Sequence, residues 1–296
     1  MSDPTQDPAR IVFVNGAYLP ATEAKISVFD RGFLFGDGVY EVSSVVGGKL
    51  IDNAAHMARL SRSLNALSIP APMTDAQILA MQRELIARNE LTEGVVYMQV
   101  TRGAAERSFD WPEWSEPSII AFTQVKAIID NPKAETGIAV ALTPDLRWKR
   151  RDIKTVNLLP ASWSKMQAQW AGAEDAWMVE ADEDGVERVT EGSSNNAFIV
   201  TAEGVIVTRS LGDEILHGIT RKVVLALAEK SQMRIEERAF TPAEAKAAQE
   251  AFVTSASGFV MPVVSIDGET LGDGAPGPIA KRLRQLYIAQ AVAAAE

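Results

Sequence analysis

Two periods alternate along the chain. Short runs with apolar residues at every second position predict strands, and longer runs with apolar residues three or four apart predict helices. "RIVFVNGAYLP" (10–20) reads as a hairpin turning at Asn15–Gly16, and "GVYEVSSVVGGKLID" (38–52) as another turning at Gly47–Gly48. In "AAHMARLSRSLNAL" (54–67), Met57, Leu60, Leu64 and Leu67 share a helical face, and Pro70 ends that helix. "TDAQILAMQRELIARNEL" (74–91) predicts the next helix, capped by Thr74 or Asp75. "GVVYMQVTRG" (94–103), "PSIIAFTQV" (117–125) and "GIAVALTP" (137–144) are apolar strands. A strand-like stretch then holds Lys154, and a helix follows near 160–171. Two further hairpins come next, "DAWMVEADEDGVERVTEG" (175–192) and "NAFIVTAEGVIVTR" (196–209). "HGITRKVVLALAEK" (217–230) opens a helix, followed by a strand over 233–240 and a helix over 242–250. The strand "AFVTSASGFVMPVVSIDG" (251–268) and an Ala-rich helix from about Pro278 complete the chain. Hairpins dominate and the helices are segregated, so the expected class is α+β.

Length turns this pattern into domains. With 296 residues, two are expected. We place a small α+β domain at 1–126, a linker at 127–134 around Asn131–Pro132, and a larger α+β domain at 135–296 that carries Lys154. A net charge of −10 argues against a nucleic-acid partner, which needs a basic face. The absence of cysteine removes disulfides and thiolate metal sites and favours the cytoplasm. Two histidines, His56 and His217, are too few for a multi-histidine metal centre. No apolar run reaches the ~18 residues of a membrane span, and the polar "MSDPTQDPAR" is unlike a signal peptide.

Several residues then ask for a chemical reading. Lys154, after Arg150 and Arg151, either snorkels to solvent or forms a Schiff base, in which case burial and the two cations favour the neutral amine. Glu191 ends a strand before a Ser-Ser-Asn-Asn turn: a hairpin connection, or a carboxylate aimed at a ring nitrogen. Gly218, Ile219 and Thr220 open a helix whose free N–H groups and hydroxyl suit a phosphate, although many Gly-x-Thr openings are plain helix starts. Ser255 and Ser257 add hydroxyls after a strand. Alternation puts Tyr40 and Glu41 on opposite faces of theirs. Arg59 borders an apolar helical stripe, in reach of a phosphate or of water. Arg102 and Arg107 end a strand and could fork a carboxylate. Trp111 and Trp148 are packing residues or walls of a bulky pocket. An imine-forming lysine, a ring-nitrogen partner, a phosphate cradle and a carboxylate clamp together are what a pyridoxal-phosphate enzyme needs.

"DRGFLFGDGVYEV", "HMARL", "QVTRGAAER", "RRDIKTVNLL", "VTEGSSNNAF", "GITRKVV" and "FVTS" occur in this order over nearly the whole chain. In that pattern the sequence resembles the fold-type IV (class IV) pyridoxal-phosphate-dependent aminotransferases, most of all their D-amino-acid (D-alanine) branch. The resemblance implies a two-domain α+β fold with pyridoxal 5'-phosphate at the domain interface. It implies a homodimer that moves an amino group from a D-amino acid to a 2-oxo acid by ping-pong chemistry. Lys154 would carry the cofactor and act as acid and base. Glu191 would pair with the ring nitrogen, and Leu216 would lie under the ring. Arg59, Gly218, Ile219, Thr220, Ser255, Ala256 and Ser257 would bind the phosphate. Tyr40, Arg107 and Phe109 would meet the substrate. The sequence departs from the pattern at Phe109, where the D-amino-acid branch has a histidine, and at Ala256, where it has a hydroxyl residue. The same fold also implies the rival enzymes, a branched-chain or (R)-amine aminotransferase or an aminodeoxychorismate lyase; a rival of a different class is a cofactor binder without turnover.

Overall fold

A computed structural model of the protein describes residue 7 and residues 9–296. Most of the polar N-terminal stretch read above lies outside the described residues. The fold is α+β, in two compact units. Of the described residues, the first comprises those up to Ile128 together with 153–157 and 294–296, and the second residues 129–152 and 158–293. The segment with Lys154 therefore belongs to the first unit, whereas the sequence reading gave it to the C-terminal domain.

In the first unit, β1 (Ile11–Val14) and β2 (Ala17–Pro20) form the expected hairpin. Asn15 and Gly16 both take positive φ, 46° and 92°, as a tight turn matched to strand twist requires. After α1 (Arg31–Phe35), the pair β3 (Gly38–Val46) and β4 (Lys49–Leu50) turns at Gly47–Gly48. Two helices follow, α2 (Asn53–Ala66) and α3 (Asp75–Arg88). Thr74 caps α3 and exchanges hydrogen bonds with Gln77, a full capping box. The strands β5 (Glu93–Thr101) and β6 (Ser118–Val125) complete a sheet of order β2-β1-β6-β5-β3-β4. Met57, Leu60 and Leu64 of α2 and Ile78, Met81 and Leu85 of α3 pack onto one face of it, with Val39, Met98, Val100 and Ala121. Ile153 joins that core.

The second unit opens with α4 (Pro132–Thr136) and β7 (Ile138–Pro144). The helix α5 (Leu159–Trp170) and the hairpin β8 (Asp175–Ala181) and β9 (Glu187–Gly192) come next. Then come β10 (Asn196–Val200), β11 (Val205–Thr208), α6 (Ile219–Lys230), β12 (Arg234–Glu237) and α7 (Pro242–Lys246). Finally β13 (Glu250–Ser255), β14 (Phe259–Ile266), β15 (Glu269–Thr270) and α8 (Pro278–Ala294) close the unit. The sheet runs β12-β11-β10-β13-β14-β7-β8-β9, with β15 on β14. Small residues, Ala141, Ala168 and Ala176, bring α5 close to one face. Trp177, Val140, Ile199, Val253 and Phe240 are packed in the unit's main core.

Three expectations change. The predicted helix over 242–250 stops at Lys246, because Glu250 starts β13 and its carboxylate accepts from the N–H groups of Ile279 and Ala280 at the start of α8. The predicted single strand 251–268 is a hairpin, β13 and β14, turning over Ala256–Gly258. The stretch around Lys154 is not a strand: its alternation is genuine, with Ile153 and Thr155 buried, but it pairs with β3 only through Val39 and Thr155. No described helix is long and apolar enough to cross a membrane.

Candidate functional site

Lys154 is held by its main chain. Its carbonyl accepts from Tyr40 N (3.0 Å), Val156 N donates to the Gly38 carbonyl (3.0 Å), and its own N–H reaches Ser63 Oγ (3.4 Å). Burying Ile153 turns Lys154 the other way, and its Nζ lies 4.1 Å from the centroid of the Tyr40 ring. Among the described residues Nζ has no ion pair and no hydrogen bond, unlike Lys133, Lys149 and Lys246, which all pair with carboxylates. The flanking arginines, expected to help discharge this amine, are spent elsewhere: Arg150 on Asp152 and Arg151 on Glu180. Tyr40 stacks on Tyr97 (5.5 Å) and Tyr97 on Phe122 (4.8 Å), across three neighbouring strands.

On the opposite face of β3, Glu41 is buried against α2. Arg59 donates to it through Nε (2.7 Å) and Nη2 (2.8 Å), and His56 Nδ1 lies 2.8 Å away. Arg59 is therefore a buried, carboxylate-held arginine and not a solvated one. Its partners Glu41 and His56 were not read as site residues. Their clue was the i, i+3 spacing of His56 and Arg59 on the α2 face that meets β3.

Arg102 and Arg107, alike in sequence, part company. Arg102 forks Asp37 (2.8 and 3.1 Å), donates to the carbonyls of Leu67 and Ser68, and stacks on Trp111 (4.0 Å). Arg31 also binds Asp37 and donates to the Ser108 carbonyl (2.7 Å). These two arginines and Trp111 shape the loop after β5. Arg107 lies exposed on that loop, its guanidinium 5.6 Å from the Phe35 ring and 5.7 Å from the Phe109 ring. It has no carboxylate partner among the described residues.

In the second unit the hairpin of β8 and β9 delivers Glu191, 2% exposed. Arg147 Nη1 donates to Oε1 (2.5 Å), Asn196 Nδ2 to Oε2 (2.8 Å), and Leu216 N to both oxygens (3.1 and 3.2 Å). Burial pushes the Glu191 carboxyl above its ordinary range, while the Arg147 charge pulls it back. Asn196 also binds the Leu216 carbonyl (3.0 Å). Gly218 caps α6 with no side-chain bond, and a Cβ there would meet Asn196 Oδ1 at 2.0 Å. Asn196 thus links Glu191, Leu216 and the start of α6, where Thr220 is buried.

Asn196 is also paired in register with Thr254, whose buried Oγ1 has no partner among the described residues. Ser255, Ala256 and Ser257 follow at the hairpin turn. An orphaned hydroxyl and a helix start without a side-chain cap leave donors for an anionic group. Arg147, Asp145 and Asn196 escaped the sequence reading, because Arg147 and Glu191 are 44 residues apart and meet only once β7, β8 and β9 pair.

The family model for amino-transferase class IV matches residues 38–266. A D-alanine aminotransferase of Staphylococcus aureus is 39% identical over 278 residues, 93% of this chain and 95% of that protein. One from Bacillus licheniformis is 38% identical over 275 residues, 92% of this chain and 94% of that protein. Among solved structures, a T.th. branched-chain amino acid aminotransferase with pyridoxamine 5'-phosphate has the same fold. It superposes with a TM-score of 0.87 at 24% identity, over 97% of this chain and 96% of that one.

Proposed function

The chain belongs to the class IV aminotransferases, and on that premise we propose that it is a pyridoxal 5'-phosphate-dependent transaminase with Lys154 as its catalytic residue. It takes an amino group from a D-amino acid and gives it to a 2-oxo acid, as the names of the D-alanine relatives support. The observation that carries the reading is the Lys154 amine. Its main chain is pinned on both sides and its Nζ has no carboxylate partner among the described residues. When bound, the cofactor supplies an aldehyde to bond with an amine and a ring that takes up electrons.

Lys154 Nζ would hold the cofactor through that aldehyde, and the same amine would serve as the acid and base that moves the proton of the substrate Cα. Tyr40 steers the amine. Glu191 would hold the ring nitrogen in its protonated form, and Leu216 would line the ring. Gly218 and Ile219 N–H, Thr220, Ser255, Ala256 N–H and Ser257 would hold the phosphate. Thr254 Oγ1 is a further donor, and Arg59, fixed by Glu41, adds positive charge. Arg107 receives the substrate carboxylate, with Phe109 as an apolar wall. The working unit is a cytoplasmic homodimer of this chain, which light scattering of the loaded protein would report.

The test is a half-reaction. Protein loaded with pyridoxal phosphate, mixed with D-alanine, loses the visible absorbance of the bound cofactor, and L-leucine leaves it intact. The reverse preference would give the branched-chain reading, and silence to both would remove the transaminase. Borohydride reduction followed by peptide mapping places the label on Lys154 or discards its role.

A further inference from the structure

Building on that reading, we propose that Arg147 is a positioning residue: anchored by Asp145, it aims the Glu191 carboxylate and keeps it charged in a place that excludes water. Asp145 follows β7, and its side chain is fully buried. It accepts from Arg147 three times, at N (3.1 Å), Nε (3.0 Å) and Nη2 (2.8 Å). One edge of the guanidinium is thereby locked, and Nη1 on the other edge donates to Glu191 Oε1 at 2.5 Å. Asp145 also accepts from Thr190 Oγ1 (2.7 Å). The Asp145–Arg147 pair therefore grips two successive residues of β9.

Chemistry gives this grip a purpose. A carboxylate that is 2% exposed takes up a proton unless a charge compensates it. Glu191 has one cation in an ion pair among the described residues, Arg147. Its other donors, Asn196 Nδ2 and Leu216 N, are neutral. Asp145 is the anion facing it, and Asp145 is itself offset by Arg147 and by Arg151, whose Nε is 3.4 Å away. Arg151 is tied in turn to Glu180. A protonated Glu191 could not hold a ring nitrogen in its cationic form, so the charge on Arg147 would act on the cofactor through Glu191. Burial raises the Glu191 carboxyl, and Asp145 adds to that, while Arg147 lowers it.

The two anchors pull in opposite directions, which separates tuning from mere structure. The probe is the titration of Glu191 in cofactor-free protein, read by NMR of carboxyl-13C-labelled glutamate with Glu191→Gln as the assignment control. In Arg147→Met the midpoint rises by about one unit or more. In Asp145→Asn, which keeps an acceptor for Arg147 but loses the charge, it falls. Arg147→Lys keeps the charge without the fork and lies between Met and the parent. Should Arg147→Met not fold, the Lys and Asn variants still give the two signs. An unmoved midpoint in folded variants, or shifts of the same sign, overturns the proposal. The same variants loaded with pyridoxal phosphate are then followed by absorbance against pH. A carboxyl shift without any spectral counterpart leaves the positioning role standing and removes the cofactor assignment of Glu191.

Discussion

At Gly218 the constraint is room and not backbone freedom, since φ is an ordinary −64°. A methyl group there would sit 2.0 Å from Asn196 Oδ1, so Asn196 must move, and with it go the bonds to Glu191 and to the Leu216 carbonyl. Gly218→Ala should cost about 1–3 kcal/mol in urea unfolding, and Gly218→Ala with Asn196→Ala should recover part of that. Loss equal to the sum of the two single variants would mean that the side chains do not compete. Arg107 is the opposite case. It is exposed and unpaired among the described residues, resting beside Phe35 and Phe109, so Arg107→Ala should leave stability within about 0.5 kcal/mol. If it clamps a carboxylate, the variant loses about 10- to 100-fold in kcat/KM for amino acids and little for amines without a carboxylate. An equal loss for both would take the clamp away from Arg107.

The strand β3 carries the site reading and much of the stability on neighbouring residues. Tyr40 looks toward Lys154, and Glu41 into the contact with α2. Burial works to raise the Glu41 carboxyl, but the charge and hydrogen bonds of Arg59, aided by His56, outweigh it and bring it from 4.5 to about 2. A carboxyl lowered on folding stabilises the native state fully above its unfolded value and loses that contribution as pH falls. The window is therefore pH 4.5 down to about 2, and the contribution at stake is on the order of 3 kcal/mol. Glu41→Gln should destabilise by about 3–5 kcal/mol at neutral pH, because Arg59 is left buried without its anion. Its stability should also fall less steeply across that acid window; an unchanged slope would assign the acid loss to other carboxylates. Elements of this kind were legible where local chemistry decides them. Asn15–Gly16, the Thr74 cap and the apolar stripe of α2 are properties of a few adjacent residues. The opposed faces of Tyr40 and Glu41 follow from period two alone. What Glu41 meets does not, since His56 and Arg59 lie on another element, and the Asp145–Arg147–Glu191 grip needs three strands in register.

At the scale of the molecule, what the sequence hid is the path of the chain. The sequence places a linker at 127–134, where the chain leaves a strand and reaches Asn131–Pro132, but the return of Ile153–Asn157 to the first unit has no local sign, because a strand-like alternation does not name its partner. The return matters physically. The strand β3 lies next to the end of its sheet, and β4 covers it only at Val45 and Val46. At Gly38–Tyr40 the edge would stand open, and residues 153–157 close it through Tyr40 N, the Gly38 carbonyl and the pairing of Val39 with Thr155. Ile153, 5% exposed, fills the core beneath. A fragment of residues 1–128 should accordingly bind a dye for exposed apolar surface and unfold over a broad range of urea. Adding a peptide of residues 150–160 in trans should reduce the dye signal, sharpen the transition and slow amide exchange at Tyr40. A fragment that unfolds sharply alone, and ignores the peptide, would show that the strap carrying Lys154 is positioned by the first unit without supporting it.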